Sequence, residues 1–240
     1  MSILETKYLY LFILVFTIAF PLMASFERKL NYVQYWPRLA LSAMAMALIF
    51  IPWDVWFTME GVWWFNENYT LGIRFLNLPI EEWLFFYFVP FSCIFIYEVL
   101  NYYFKRDLLG KIVQNLSMGV GIGLLVIAIS NPDKLYTLVT CLSTALAMFA
   151  AAWFKPSWLH KFWRMYAVSW IPFIVVNGAL TGLFTSQAVV NYNELEIIGL
   201  RIGTIPIEDS IYNLLMLLIV VWMYELLKKR TPPLLNHKRT

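Results

Sequence analysis

Seven stretches of the chain are long, apolar and almost free of charge: 8–23, 39–57, 79–103, 112–130, 135–154, 162–183 and 205–227. About 20 mostly apolar residues suffice for a helix to cross a bilayer. A closed β-barrel is the other way to span. These runs are too long for its strands and lack strict alternation. The pattern predicts an all-α, polytopic membrane protein with seven transmembrane helices. Lys7 and Glu5 flank the first run weakly, and Arg28 and Lys29 follow it. That order suits a helix running outside to inside better than a cleaved signal peptide.

Composition agrees. Of 240 residues, 61% are hydrophobic and 14% charged, against about 25% charged in an average soluble domain. Such a chain is too apolar for a soluble globule or for disorder. A net charge of +3 without a basic stripe gives no footprint for nucleic acid, so none is expected as partner. The basic residues do sort by side. Arg28, Lys29, Arg38, Lys105, Arg106, Lys111, Lys155, Lys161, Arg164 and the tail Lys228, Lys229, Arg230, Lys238 and Arg239 fall on one set of connections. The other set holds Lys7, Arg74, Lys134 and Arg201. Positive residues stay inside, so the N-terminus is expected outside and the C-terminus in the cytoplasm. Cys93 and Cys141 fall in different spans and read as small packing residues.

Residues 72–100 align without gaps to 199–227. GIRFLNLPIEE stands against GLRIGTIPIED, so Gly72, Arg74, Pro79, Ile80 and Glu81 recur as Gly199, Arg201, Pro206, Ile207 and Glu208. Glu82 recurs as Asp209, and Tyr97-Glu98 as Tyr224-Glu225. Upstream, IPWDVWF with Asp54 roughly matches IPFIVVN with Asn177, with a small length difference. The chain therefore divides into a first repeat at 1–108 with helices 1–3, a linking helix at 109–132, and a second repeat at 133–240 with helices 5–7. One linking span leaves both triplets in the same orientation, a parallel repeat about an axis along the membrane normal.

Pro79 and Pro206 suit the first turn of the third helix of each repeat, and acids just after them favour that end of the helix dipole. Simple capping would account for one such pair. Here four acids, Glu81, Glu82, Glu208 and Asp209, are placed equivalently at one face, with Asp54 and Asn177 ending helices there. Ionisable groups near hydrocarbon are costly and mark function. Crowded carboxyls in a low dielectric cannot all ionise, so one holds a proton as general acid beside an ionised base. Arg74 and Arg201, just upstream, are expected to tune that charge.

Aromatic residues reach 18%, more than lipid contact requires. Part of them forms an interfacial belt. Trp53, Trp56 and Phe57 beside Asp54, Phe85 and Phe86 a turn after the first acids, and Tyr212 with Asn213 a turn after the second are candidates to line a cavity. Aromatic faces there would stabilise a cation. Glu98 and Glu225 lie about 25 Å along their helices and cannot share that site; a structural role beside Lys105 or Lys228 is expected.

Other chemistries lack their residues. His160 and His237 fall in a loop and the tail, so no metal site is expected. There is no DDxxD motif for a diphosphate-bound metal. Gly119, Gly121 and Gly123 lie within a span with no preceding strand, and read as close helix packing rather than a dinucleotide loop. The seventh span lacks a lysine for a retinal Schiff base.

The pairing of IPWDVWF with LPIEEWLFF, and of an Asn-bearing helix with IPIED, resembles the membrane lycopene cyclases, with both subunit-like halves fused in one chain. The resemblance implies carotenoid biosynthesis, lycopene as substrate and no cofactor, unlike the unrelated flavin-dependent cyclases. It implies an isomerase that turns lycopene ψ-ends into β-rings, giving γ- or β-carotene by a redox-neutral carbocation route. Glu81 and Glu82 would then be acid and base, Glu208 and Asp209 their partners, and Asp54 and Asn177 orienting groups. The lipid bilayer and other carotenoid-pathway enzymes are the expected partners, and a bacterial inner membrane the expected location. A small-solute transporter of the same topology, with polar residues near the midplane, and a carotenoid-binding protein without activity are the alternative readings.

Overall fold

The computed structural model describes residues 6–106, 110 and 112–230. Lys111, His237, Lys238, Arg239 and the repeat boundary at 108/109 lie outside the described residues, as do the side chains of Lys229 and Arg230. Seven α-helices occupy the seven apolar runs: α1 (Leu9–Ala24), α2 (Trp36–Met59), α3 (Ile80–Tyr103), α4 (Ile112–Ser130), α5 (Leu135–Phe154), α6 (Leu159–Leu180) and α7 (Ile207–Arg230). Five of them, α2, α3, α4, α5 and α7, are long and apolar enough to cross a membrane. α1 is a shorter apolar helix of 16 residues, and α6 carries Lys161 and Arg164 near its start. Exposed Leu, Ile, Phe and Met side chains along the helices give the bundle an apolar outer surface, as lipid contact requires.

The two triplets pack alike. α1 lies on α3 and α5 on α7, while α2 packs on α7 and α6 on α3. The second helix of each triplet is thus held by the third helix of the other, and the halves interlock. α4 lies mainly along α5. Gly121 permits this approach, since a Cβ there would sit 2.6 Å from the Phe149 ring. Gly119 and Gly123 have no such neighbour.

The connections are more ordered than an all-α reading predicts. Three short antiparallel pairs form among β1 (Trp63–Phe65), β2 (Arg74–Phe75), β3 (Leu78–Pro79), β4 (Val190–Tyr192), β5 (Arg201–Ile202) and β6 (Ile205–Pro206). β2–β3 and β5–β6 are the same hairpin in each repeat. β1 pairs with β4 across the repeats: Trp63 with Tyr192, Trp64 with Asn191, Phe65 with Val190. Continuing the repeat alignment upstream makes Trp63, Trp64 and Phe65 equivalent to Val190, Asn191 and Tyr192. The pairing therefore maps each strand onto the other about a local two-fold axis through Trp64 and Asn191. The flanking bonds obey it too, with Asn66 N donating to Val189 O at 2.8 Å and Asn193 N to Val62 O at 2.9 Å. Runs this short carry too few alternations to be read as strands.

Candidate functional site

Each hairpin sets the start of its third helix. Gly72 and Gly199 adopt φ of +79° and +86°, a conformation that costs glycine little. Arg74 donates to the Asn77 carbonyl at 3.1 Å and to Glu67 at 3.2 Å; Arg201 donates to the Thr204 carbonyl at 2.7 Å and to Glu194 at 2.5 Å. Both arginines brace the hairpins, and neither bonds a helix-start acid directly. Arg201 also lies 6.0 Å over the ring of Tyr192, which donates to Asp209. An arginine on the wet face of the loop finds an exposed partner nearer than a buried one.

The first of the paired acids in each motif also serves the loop. Glu81 Oε1 accepts the Leu71 N–H at 2.7 Å, and Glu208 Oε1 accepts the Ile198 N–H at 2.7 Å and the Thr137 hydroxyl at 2.7 Å. Each buried carboxyl ties the loop that precedes the hairpin to the helix that follows it. Neither is among the residues that line the cavity described next, and each keeps a buried Oε2 without a hydrogen-bond partner among the described residues.

The second acid of each motif points the other way. Glu82 accepts a hydrogen bond from the Tyr10 hydroxyl of α1. Asp209 accepts three: Tyr136 to Oδ1 at 2.8 Å, Asn177 Nδ2 to Oδ2 at 2.7 Å, and Tyr192 to Oδ2 at 2.8 Å. Burial, reinforced by the Asp209 carboxylate, pushes the Tyr192 phenol well above its usual range, so it remains a donor. Asp54 Oδ1 accepts the Trp63 indole N–H at 2.7 Å, while its buried Oδ2 has no hydrogen-bond partner among the described residues. Tyr10 and Tyr136 hold equivalent places, each the second residue of its helix and each preceded by leucine. The recurrence of Leu9-Tyr10 as Leu135-Tyr136 was the signal in the sequence that marks them.

Asp54, Glu82 and Asp209 all line one cavity of about 690 Å³. Asn177, Tyr212 and Asn213 share its polar end, while α1, α3 and α6 supply long apolar walls. No Lys, Arg or His among the described residues lines it. An acid cluster without a counter-cation, closing one end of a greasy slot, fits an uncharged hydrocarbon better than an ion.

The lycopene cyclase family matches residues 7–100 and again 133–227. The chain belongs to that family. Neither a curated protein nor a solved structure matches it. Membership makes this protein a cyclase of carotenoid biosynthesis acting on a carotenoid such as lycopene. The double match falls on the two helix triplets and leaves α4 between them.

In this cyclase the aromatic candidates divide. Phe85, Tyr212 and Asn213 line the cavity. Phe86 turns away into the core against Phe50. Trp53 and Phe57 pack behind the wall, edge-on to each other at 5.7 Å, with Tyr212 and Tyr136 as their respective neighbours. Trp56 is 42% exposed on the outer surface. Successive helix residues point about 100° apart, so the face that offers Asp54 to the cavity turns Trp53 and Trp56 elsewhere, while Phe57, one turn on, packs behind Trp63. Trp63 and Tyr192 take their places, brought in by β1 and β4.

Proposed function

We propose that the chain cyclises the ψ-ends of lycopene to β-rings without a cofactor, and that Asp54, Glu82 and Asp209 carry the chemistry. The observation behind this is that Asp54, alone of the three described acids with an unpartnered buried oxygen (Asp54, Glu81 and Glu208), lines the largely apolar cavity, beside Glu82 and Asp209. With Trp63 donating to Oδ1, a protonated Asp54 has its hydroxyl at Oδ2, where no protein acceptor competes for the proton. It delivers that proton to C2 of the terminal alkene. The tertiary cation at C1 is attacked by the C5=C6 bond, closing a six-membered ring and moving the cation to C5. Glu82 then removes the proton from C6, giving the β-end. One proton enters and one leaves, so the step is a redox-neutral isomerisation, and transfer from Glu82 back to Asp54 resets the site.

Asp209 has a different place. It already accepts three hydrogen bonds, so its carboxylate needs no proton of its own. A fixed negative charge there stabilises the passing cation electrostatically. Phe85 and Tyr212 offer ring faces to the same charge. The apolar walls keep out water, which would trap the cation as an alcohol.

The reading also places seven spans as a 3+1+3 parallel repeat in a bacterial inner membrane, N-terminus outside, with lipid as the surrounding partner. The acids gather in the first turns of α3 and α7 rather than near the midplane, which favours a cyclase over a solute transporter. Expression in a lycopene-accumulating bacterium, followed by pigment chromatography, tests the assignment. Ring-bearing carotenoids support it. Unchanged lycopene with folded protein present refutes it and leaves a carotenoid-binding protein.

A further inference from the structure

The two-fold relation of the triplets leads to an expectation of two equivalent slots, yet the acids share one cavity. It extends from the acids between α1 and α6, over α3. Its outer lining includes Phe16, Phe20 and Met23 of α1 and Ile171 of α6, all exposed on the apolar surface. From Tyr10 to Met23 is about 20 Å along α1, and from Asn177 to Ile171 about 9 Å along α6. Both distances keep the mouth within a hydrocarbon layer of about 30 Å. An occupant admitted there is a long apolar molecule already dissolved in the bilayer, not a solute from water.

At the counterpart position, beside α2 and α7, aromatic side chains pack on one another. Where Asp54 is matched to Asn177, Trp53 falls at the position of Val176. Val176 lines the cavity. Trp53 stacks on Phe50 at 5.7 Å and meets Tyr212 edge-on at 5.4 Å. The same matching sets Leu48 opposite Ile171. Both are outward-facing, 73% and 71% exposed, but of the two only Ile171 lines this cavity.

We infer that this cyclase has one lateral portal, between α1 and α6, through which a polyene inserts a single ψ-end from the bilayer and must withdraw before its other end can react. The inference rests on the proposed cyclase activity and adds to it an obligatory one-ringed product released into lipid. Trp53 is the residue that removes the second slot.

The test uses the full chain in liposomes, once the wild type has formed rings; a wild type that forms none counts against the function itself. Ala19 of α1 also lines the cavity, beside Phe20. Ala19→Trp and Ile171→Trp, one on each lip, should lower kcat/KM for lycopene about tenfold while sparing kcat at saturation. Leu48→Trp should stay within about twofold of wild type. Equal effects at Leu48 and Ile171, in protein of wild-type thermal stability, would overturn the portal. A chase supplies an independent readout. Liposomes preloaded with labelled lycopene are given excess unlabelled lycopene in mid-reaction. Label held in one-ringed carotenoid, its passage to any two-ringed product suppressed by the chase, is the expected result. Label passing straight to a two-ringed product despite the chase would overturn obligatory release.

Discussion

Glu81 and Glu82 leave α3 about 100° apart, and that rotation sends one carboxyl to the Leu71 amide and the other into the cavity. Exchanging each for its amide should separate the two. Glu81→Gln keeps the acceptor oxygen and should retain activity within a few-fold. Glu82→Gln and Asp54→Asn each remove a proton carrier and should cost about 10²–10⁴-fold in lycopene turnover, the usual worth of general acid–base catalysis. Pigment conversion by membranes carrying equal amounts of folded protein checks all three. Asn177→Asp is isosteric but sets a carboxyl against Asp209 Oδ2. It can donate there only while protonated, so its activity should fall below wild type and recover as pH is lowered. A rate rising with pH instead would contradict the donor role of Asn177. Arg74→Gln should be mild, because its pair with the 80% exposed Glu67 side chain is of the kind worth about 0–1 kcal/mol.

At the scale of elements, α3 and α7 are joined by repeat-related contacts toward their C-terminal ends. Far from the cavity, Tyr97 donates to Glu225 at 2.8 Å and Tyr224 donates to Glu98 at 2.8 Å. Lys228 lies 3.3 Å from Glu98 and 3.6 Å from Glu225. The recurring Tyr-Glu pairs therefore cross over, each tyrosine serving the other repeat's acid. Tyr97→Phe with Tyr224→Phe should lower stability by about 1–3 kcal/mol in total, from two lost hydrogen bonds that leave their acceptors under-satisfied. A thermal-shift assay in detergent reads this, with ring formation at permissive temperature unchanged. The positions of all seven helices were legible in the hydropathy. Their partners were not. Nothing in the order α1–α2–α3 shows that α2 will pack on α7, because both faces of so apolar a helix look alike along the sequence.

For the whole molecule, interlocking of the triplets has a consequence for assembly. Residues 1–108 and 109–240, expressed as two chains in the same membrane, should associate and restore cyclase activity, while neither alone should form rings. The reason is that the acids of the one cavity come from both halves: Asp54 and Glu82 from the first, Asp209 from the second. Co-purification on a tag carried by one chain, with pigment analysis, checks this. Activity from either chain alone would break the shared-site picture. The sequence by itself determined the apolar helices, the repeat and the acids at its hairpins, because each is written in local spacing or in self-similarity. Only the tertiary structure decided which acids line the cavity, that the arginines bond within their loops, and that Trp53 packs on Tyr212 where its counterpart Val176 lines the cavity. Those outcomes depend on which helix faces meet across the two-fold axis. That relation is set by packing between residues far apart in the chain, and no local pattern encodes it.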